Sequence, residues 1–273
     1  DSSSWTSPPY DGIAGINCTN CTTVDRFQHL FYISNRSGTR VNVYEIGWGH
    51  FADNPILEGL HVYDVGVGNG WIGTIKLHDN VVKNQRGGCI DLSYEDNSPI
   101  AIYNNLLISD VDSPYTGPAI RDAGTGGSTV KIYNNTIYGF SEPSDSPTGT
   151  LQDVRNNIQI DNRGKAFISR EPSVHSNNLF HSLVGTAQPL WAGSELGHII
   201  GDPLFSNVAI YDFSLQATSP AKSAGSDATL ATAPTDFYGQ PRPIGSVSIG
   251  AIQYVSAETD LAAPSAPANL SVL

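Results

Sequence analysis

Positive charge is scarce in this sequence. Its 273 residues include 14 Lys and Arg but 26 Asp and Glu, which gives a formal net charge of -12 at pH 7. A general nucleic-acid binder, or a binder of anionic membranes, needs a basic face that displaces counterions. The charge balance therefore argues against nucleic acid as a partner, and it favours a secreted protein, extracellular or at the cell surface.

Long apolar runs are also missing. No stretch of about 18 apolar residues is present, so membrane insertion is not predicted. Charged residues make up only 15% of the chain, whereas 27 Gly and 17 Pro accompany abundant Asn, Ser and Thr. Such a composition is rich in turns and argues against a helical protein.

Cysteine is rare, and its spacing is uninformative. Cys18 and Cys21 form a single CxxC pair, and Cys89 stands alone. A zinc site would need a second pair or a nearby His partner. We therefore expect either a local disulfide or two free thiols at Cys18 and Cys21, and the sequence assigns no particular residues as metal ligands.

The feature that is present in abundance is a repeated phrase centred on Asn. "YNN" recurs within "IAIYNNLLIS" and "VKIYNNTIYG", with variants in "DVRNNIQID", "VHSNNLFHS" and "IKLHDNVVKN". The second residue of each pair is Asn80, Asn105, Asn135, Asn157 or Asn178, and the gaps are 25, 30, 22 and 21 residues. A further match upstream, "PILEGLHVYDVG", puts Gly59 in the Asn position. A unit this short is typical of one coil of a β-solenoid.

Each unit divides into three short strands. One strand follows the Asn, a second comes after a variable Gly- and Pro-rich loop, and a third leads back to the next Asn. Equivalent strands of stacked coils lie about 4.8 Å apart in parallel sheets. The sequence predicts an all-β, single-stranded right-handed parallel β-helix with 21 to 30 residues per coil and three short sheets. Ile100 should stack under Val130, and Leu107 under Ile137.

The Asn pairs are interpreted as structural. At the same place in every coil the chain must bend between two sheets, and Asn tolerates left-handed backbone angles. Its amide can also bond to the equivalent Asn in the coils above and below, at about 1 kcal/mol net per bond. We therefore expect a ladder of Asn side chains that fixes the register between coils.

These strands and Asn turns resemble the right-handed parallel β-helix of pectate-lyase-like proteins. The C-terminal stretch "DPLFSNVAIYDFSLQATSPAKSAGSD", followed by "TDFYGQPRPIGSVSIGAIQY", is similar to the closing segment of secreted carbohydrate-active β-helix proteins, including those related to disaggregatase. The resemblance covers about residues 55–254. It implies an extracellular enzyme that degrades a polysaccharide. Lys222 and Ser223 depart from the acidic pattern usual after "SPA".

The chain is predicted to be one β-helix domain over residues 1–255. It comprises irregular early coils at 1–54, regular coils at 55–200 and a closing segment at 201–255. Residues 256–273 turn Ala- and Pro-rich and are predicted to be a linker toward a further module, fibronectin type III-like or carbohydrate-binding.

The candidate site lies on the outside of the second strand of the coil. Alternation places Ile90 and Leu92 inward and Asp91 outward, and matching "CID" with "AIR" puts Arg121 beside Asp91 on the next coil. The insertions "VDSPYTG" and "SEPSDSPTG" would rim a groove there. The catalytic candidates are Asp91, Arg121, Tyr94, His50 and Asp122. The substrate-binding candidates are Arg86, Tyr115, Trp48, Trp71, Glu95, Asp96 and Arg170.

Three functions compete for this face. β-Elimination at a uronic acid needs a cation to neutralise the carboxylate and a base near C5, roles for which Arg121 and either Tyr94 or His50 are candidates. Glycoside hydrolysis needs paired carboxylates instead, for which Asp91, Asp96 and Asp122 are the candidates. A non-catalytic carbohydrate-binding or adhesive solenoid would carry only an exposed ion-pair ladder. Calcium could offset the acidic balance toward an anionic polysaccharide. The His residues within the repeat strands, His61, His78, His175 and His181, are interpreted as packing or ladder residues.

Overall fold

The computed structural model describes fourteen stretches of the chain. They are residues 12–15, 29–34, 45–47, 50–51, 58–64, 75–83, 88–94, 99–109, 118–124, 129–140, 142–145, 151–161, 171–184 and 193–256.

Three large sheets run along the molecule, and over residues 29–161 each coil contributes one described strand to each sheet. Sheet A contains β1 (Gly12–Gly15), β2 (His29–Ser34), β5 (Glu58–Asp64), β8 (Ile90–Tyr94), β11 (Pro118–Asp122) and β14 (Glu142–Asp145). Sheet B contains β3 (Glu45–Gly47), β6 (Ile75–His78), β9 (Ile100–Tyr103), β12 (Thr129–Tyr133), β15 (Leu151–Arg155) and β17 (Val174–Ser176). Sheet C contains β4 (His50–Phe51), β7 (Val81–Lys83), β10 (Leu106–Ile108), β13 (Thr136–Tyr138), β16 (Ile158–Asp161), β18 (Leu179–Ser182) and β19 (Ile199–Ile200).

Neighbouring strands in the three sheets pair in parallel, apart from β1, which pairs antiparallel with β2. The predicted stacking is confirmed: Val130 pairs with Ile100, and Leu107 with Ile137. Aliphatic side chains fill the inside of these coils and are almost fully buried. The protein is therefore a three-sheet parallel β-helix whose core is built from like residues stacked on like.

The early strands belong to the same three sheets, and this corrects one sequence assignment. Gly59 lies on β5 in sheet A, where it donates its backbone N–H to Gly88, and not at the Asn turn. Two residues separate Gly47 from His50, as two separate His78 from Val81, and these strand ends pair with one another. The assignment failed because the strands of all three sheets share one apolar alternation, which does not identify a particular sheet.

A second correction concerns the predicted insertion "SEPSDSPTG". Its residues Glu142–Asp145 form β14, which pairs with β11 and thereby continues sheet A. Main-chain bonding makes this strand although its sequence is polar and contains Pro143, a residue that edge strands tolerate. The other predicted groove wall, "VDSPYTG", lies outside the described residues.

The predicted Asn ladder is confirmed, and the two residues of each pair have different roles. The first residue of each pair adopts the left-handed conformation: φ is 52° at Asp79, 56° at Asn104, 53° at Asn134, 57° at Asn156 and 54° at Asn177. The second residue forms the ladder. Side-chain amides join Asn80 to Asn105 (3.0 Å), Asn105 to Asn135 (2.9 Å), Asn135 to Asn157 (3.0 Å) and Asn157 to Asn178 (3.0 Å).

The closing segment packs along this turn and over the outside of sheet C. It begins with the antiparallel pair β20 (Phe205–Asn207) and β21 (Asp212–Leu215) and includes two 3-10 turns, Val208–Ile210 and Asp227–Thr229. In four pairs, the side chain of the first Asn donates to a backbone carbonyl of the closing segment: Asn104 to Thr235 (2.8 Å), Asn134 to Ser248 (3.2 Å), Asn156 to Ser226 (2.9 Å) and Asn177 to Ala224 (3.0 Å). The segment thus binds four successive coils.

Apolar contacts complete this cover. The outward side chains of sheet C, among them Ile108 and Ile158, join Phe213, Ile249 and Ile252 of the closing segment in a second buried cluster. Burying this face removes a large apolar surface from water. The outer face of sheet C is therefore a structural surface, and the candidate site lies on sheet A.

Candidate functional site

The site is built from three residues that occupy equivalent positions on neighbouring strands of sheet A. His61 pairs with Asp91, Asp91 pairs with Arg121, and the next strand of the sheet places Asp145 opposite Arg121. The inward neighbours Leu60, Ile90 and Ile120 are packed in the core and fix the direction of the strands. The predicted side-by-side placement of Asp91 and Arg121 on adjacent coils is confirmed.

Asp91 is the centre of this row. Its Oδ2 lies 3.2 Å from Nη1 of Arg121. Its Oδ1 accepts a hydrogen bond from the Ser93 hydroxyl at 3.1 Å and lies 3.4 Å from Nε2 of His61. The side chain of Asp91 is only 2% exposed, whereas that of Arg121 is 49% exposed. A buried carboxylate therefore holds a guanidinium that faces solvent.

This arrangement suits the recognition of an anion. A guanidinium has five N–H donors in a planar fork, and the contact with Asp91 leaves donors for a second acceptor. Arginine binds carboxylates with good geometry because its fork matches their two oxygens. The buried carboxylate of Asp91, in contrast, has contacts to both oxygens and little access to solvent. Its position suits orienting Arg121 better than contacting a large substrate.

Asp122 does not belong to this face, which corrects its predicted position. It pairs with Leu92, an inward residue, and is 0% exposed. Its Oδ2 accepts from Nε2 of Gln152 at 3.0 Å, and its Oδ1 accepts from the backbone of Gly124 at 3.3 Å. The strand continues through residue 122, so alternation turns this side chain into the coil stack.

The other candidates do not join the row formed by His61, Asp91 and Arg121. His50 begins β4 in sheet C, beside Val81, so the structure assigns it to a different sheet from Asp91 and Arg121. Tyr94 ends β8, the strand of Asp91, at the position opposite Asp64. The substrate-binding candidates Trp48, Trp71, Arg86, Glu95, Asp96, Tyr115 and Arg170 lie outside the described residues, as do Cys18 and Cys21.

His61 is the residue that the sequence interpretation missed. The sequence favours a packing or ladder role for it and no part in the site; it is largely buried, and its ring lies against the carboxylate of Asp91. The signal was present, because "LHV" stacks under "IDL" once β5 is assigned to sheet A. Placing Gly59 at the Asn turn moved His61 to another sheet and hid this neighbour.

Three further observations concern the rest of the described chain. No group of three or more His, Cys, Asp or Glu able to hold a metal occurs among the described residues. Cys89 is a free thiol, fully buried, and burial raises its pKa well above the ordinary value, so it is a poor nucleophile. In the part of the chain that the structure describes, no helix has the length and apolarity needed to cross a bilayer.

When the chain was compared with known proteins, no family model, no curated protein and no solved structure matched it. The parallel β-helix therefore rests on the three sheets and their register alone.

Proposed function

We propose that this protein is a secreted polysaccharide-degrading enzyme of the pectate-lyase-like kind. It cleaves a uronic-acid-containing polysaccharide by β-elimination on the outer face of sheet A. The observation that carries the proposal is the half-exposed guanidinium of Arg121, which a buried carboxylate, Asp91, holds at 3.2 Å. In a chain with a net charge of -12, such a positioned cation is the feature that an anionic sugar needs.

The reaction assigns one task to each group. Arg121 binds the uronate carboxylate and stabilises the negative charge that develops on it when the proton leaves C5. The electron pair of the broken C5–H bond forms the C4–C5 double bond, and the glycosidic oxygen leaves from C4 and takes up a proton. Asp91 positions Arg121. The base that accepts the C5 proton is His61, which lies in the same row and is more exposed than Asp91, with 10% of its side chain accessible against 2%.

Glycoside hydrolysis is the alternative on the same face. It needs two carboxyl groups that reach the glycosidic bond, about 5 to 9 Å apart. Asp122 is enclosed in the coil stack, and the side chain of Asp91 is 2% exposed, so two members of the predicted carboxylate set have little access to substrate. This favours elimination over hydrolysis. A solenoid that only binds sugar would use Arg121 in the same way but without a base.

Incubation with a panel of extracellular matrix polysaccharides tests the proposal. The ultraviolet absorbance of an unsaturated uronide is the expected result. New reducing ends without that absorbance would indicate a hydrolase, and retention of polysaccharide without cleavage would indicate a binding solenoid. Repeating the incubation with added calcium and with a chelator tests whether the cation assists substrate binding.

A further inference from the structure

A cleft on the outside of the closing segment has no part in the proposed reaction. Its volume is about 470 Å³, and Lys222, Gln240, Pro241, Pro243 and Tyr254 line it. This volume is in the range of pockets that bind small molecules, about 300 to 1,000 Å³. The closing segment packs on sheet C and the Asn turn, so the cleft and Arg121 lie on different elements of the fold.

Lys222 supplies a positive charge to this cleft. Its ammonium lies 4.3 Å from the ring centroid of Tyr254, and its one hydrogen bond, to the Ala217 carbonyl, is long at 3.4 Å. Arg121 and Arg155 each form an ion pair with a carboxylate. Among the described residues, no carboxylate lies within 4 Å of Lys222. The exposed ammonium therefore faces solvent and the π face of Tyr254, with no carboxylate beside it.

Hydrogen bonds within the closing segment hold the walls of the cleft in place. The backbone N–H of Tyr254 donates to the Ser248 hydroxyl at 3.1 Å, and the preceding residue, Gln253, is buried and accepts from the Ser248 N–H at 2.9 Å. Pro241 and Pro243 flank Arg242, whose buried guanidinium donates to several backbone carbonyls. A preformed cleft binds a ligand without the cost of ordering its own walls.

The chemistry of these walls selects the ligand. Two prolines and a tyrosine offer an apolar surface of the size of a pyranose ring, the ammonium of Lys222 offers a partner for a carboxylate, and the amide of Gln240 can bond to a hydroxyl. An uncharged apolar ligand would remove the ammonium from water without a partner. We propose that the cleft is a second saccharide site, which binds a uronate residue of the polysaccharide through Lys222 and Tyr254.

This inference takes its substrate class from the proposed function but requires no cleavage. A second site on the same chain raises the effective concentration of polymer near Arg121. Binding to the cleft is measured in the Arg121→Ala protein, in which the first site is disabled. The probes are a trimer of galacturonic acid and a trimer of galactose, followed by titration calorimetry at low salt.

We expect the acidic trimer to bind to the Arg121→Ala protein at least about tenfold more tightly than the neutral one, a difference of about 1.4 kcal/mol. Adding Lys222→Gln should remove that preference. Lys83→Gln is the matched control, because Lys83 also lies over a tyrosine ring, Tyr211, at 4.1 Å but does not line the cleft.

Equal binding of the two trimers, or equal loss in the Lys83→Gln and Lys222→Gln proteins, would overturn the assignment of the cleft. If the wild-type protein cleaves no polysaccharide while the binding that depends on Lys222 persists, the elimination reaction is wrong and the cleft assignment stands. If the wild-type protein cleaves polysaccharide but the Arg121→Ala protein shows no preference for the acidic trimer, the cleft assignment is wrong and the elimination reaction stands.

Discussion

Glu195 accepts the backbone N–H of Asn178 at 2.6 Å and its side-chain amide at 3.1 Å. These are the two donors that each earlier Asn offers to the next Asn in the ladder, as Asn157 does to Asn178 itself. A carboxylate has an oxygen for each donor and ends the series. Its side chain is fully buried, and His175 Nδ1 lies 3.2 Å from its Oε2. The ladder therefore ends in a carboxyl group that accepts both donors, instead of in unpaired amides.

The first prediction concerns pH. Burial raises the pKa of Glu195, although its hydrogen bonds with Asn178 act in the opposite direction. The folded protein then binds this proton more tightly than the unfolded chain does, so the free energy of unfolding should fall as pH rises from the ordinary carboxyl pKa through the raised value. Burial raises the pKa of Asp236 as well, with the same sign.

Urea unfolding at a series of pH values measures this slope. Glu195→Gln should flatten part of it and Asp236→Asn another part, each after allowance for the lower stability of the variant. The Gln variant is expected to be less stable by about 1 to 3 kcal/mol, because its amide nitrogen meets one of the two donors of Asn178. An unchanged slope in both variants would contradict the assignment.

The second prediction concerns the interior of the ladder. Asn135 donates to the carbonyls of Ile102 (3.0 Å) and Tyr133 (3.1 Å) and to Asn157, and its Oδ1 accepts from both donors of Asn105. Asn135→Ala leaves several buried groups without partners. At about 1 to 3 kcal/mol for each such group, the loss should be at least about 3 kcal/mol in urea unfolding.

Asn207→Ala is the control for that variant. Asn207 is exposed and accepts a single bond, from the Ala209 N–H at 3.2 Å, at the start of a short 3-10 turn. Its removal should cost about 1 kcal/mol or less. Comparable losses in the two variants would mean that the ladder adds nothing beyond ordinary capping.

The ladder could be predicted because its requirement is local and repeats in every coil. A buried amide must find partners, and a sharp bend must use a residue that tolerates positive φ, so the pair Asn134 and Asn135 shows both needs in the sequence. The identity of each sheet could not be predicted in the same way. Gly59 was misassigned because all three sheets share one apolar alternation, and β14 was missed because its main-chain pairing leaves no apolar pattern.

The residues of the candidate site also differ in whether the sequence predicted their positions. Asp91 and Arg121 were placed together by alternation within two strands whose register was correct. Asp122 was misplaced because the alternation was not carried one residue further, where it points inward. His61 was missed because its strand had been assigned to the wrong sheet. Whether a polar side chain such as that of Asp122 can be buried within the coil stack depends on the hydrogen-bond partners available there. No pattern in the sequence specifies those partners.

The third prediction concerns the attachment of the closing segment. Arg242 is buried, and its Nη2 donates to Oδ1 of Asn104 (2.9 Å) and to the carbonyls of Gly250 (3.0 Å) and Ala251 (2.9 Å). Burial lowers its pKa to about 10, so the group remains charged at neutral pH. Arg242→Met removes these donors and should loosen the closing segment before the coils.

Hydrogen exchange measures that difference. The amide of Phe237, bonded to the Ala251 carbonyl, and that of Gly250, bonded to the Asn156 carbonyl, should exchange faster in the variant. The amide of Ile132, within sheet B, should change little. Arg242→Lys, which keeps the charge but not the fork, should give an intermediate result. An equal rise at Ile132 would show that the closing segment and the coils open as one unit.

The fourth prediction concerns Arg121. Arg121→Ala should lower the rate of formation of unsaturated product by about 10² to 10³, because a positioned charge stabilises the transition state strongly. The melting temperature should fall only modestly: Arg121 is half-exposed, and the buried carboxylate of Asp91, which loses this partner, keeps its contacts with Ser93 and His61. Arg155→Ala is the matched control: Arg155 pairs with Asp153 at 2.6 Å on sheet B, and its loss should leave the rate unchanged.

The last prediction separates the roles of Asp91, His61 and Tyr94. If Asp91 only positions Arg121, Asp91→Asn should keep a measurable part of the activity, since the amide oxygen can still accept from the guanidinium. The base should behave differently: His61→Ala should remove nearly all turnover with little change in KM, and the remaining pH profile should lose the limb that belongs to the base, whereas Tyr94→Phe should keep its turnover. Complete loss in Asp91→Asn, in a protein whose products carry reducing ends but no double bond, would instead assign Asp91 as the acid or base of a hydrolase. Wild-type rates in all three variants would move the chemistry off sheet A altogether.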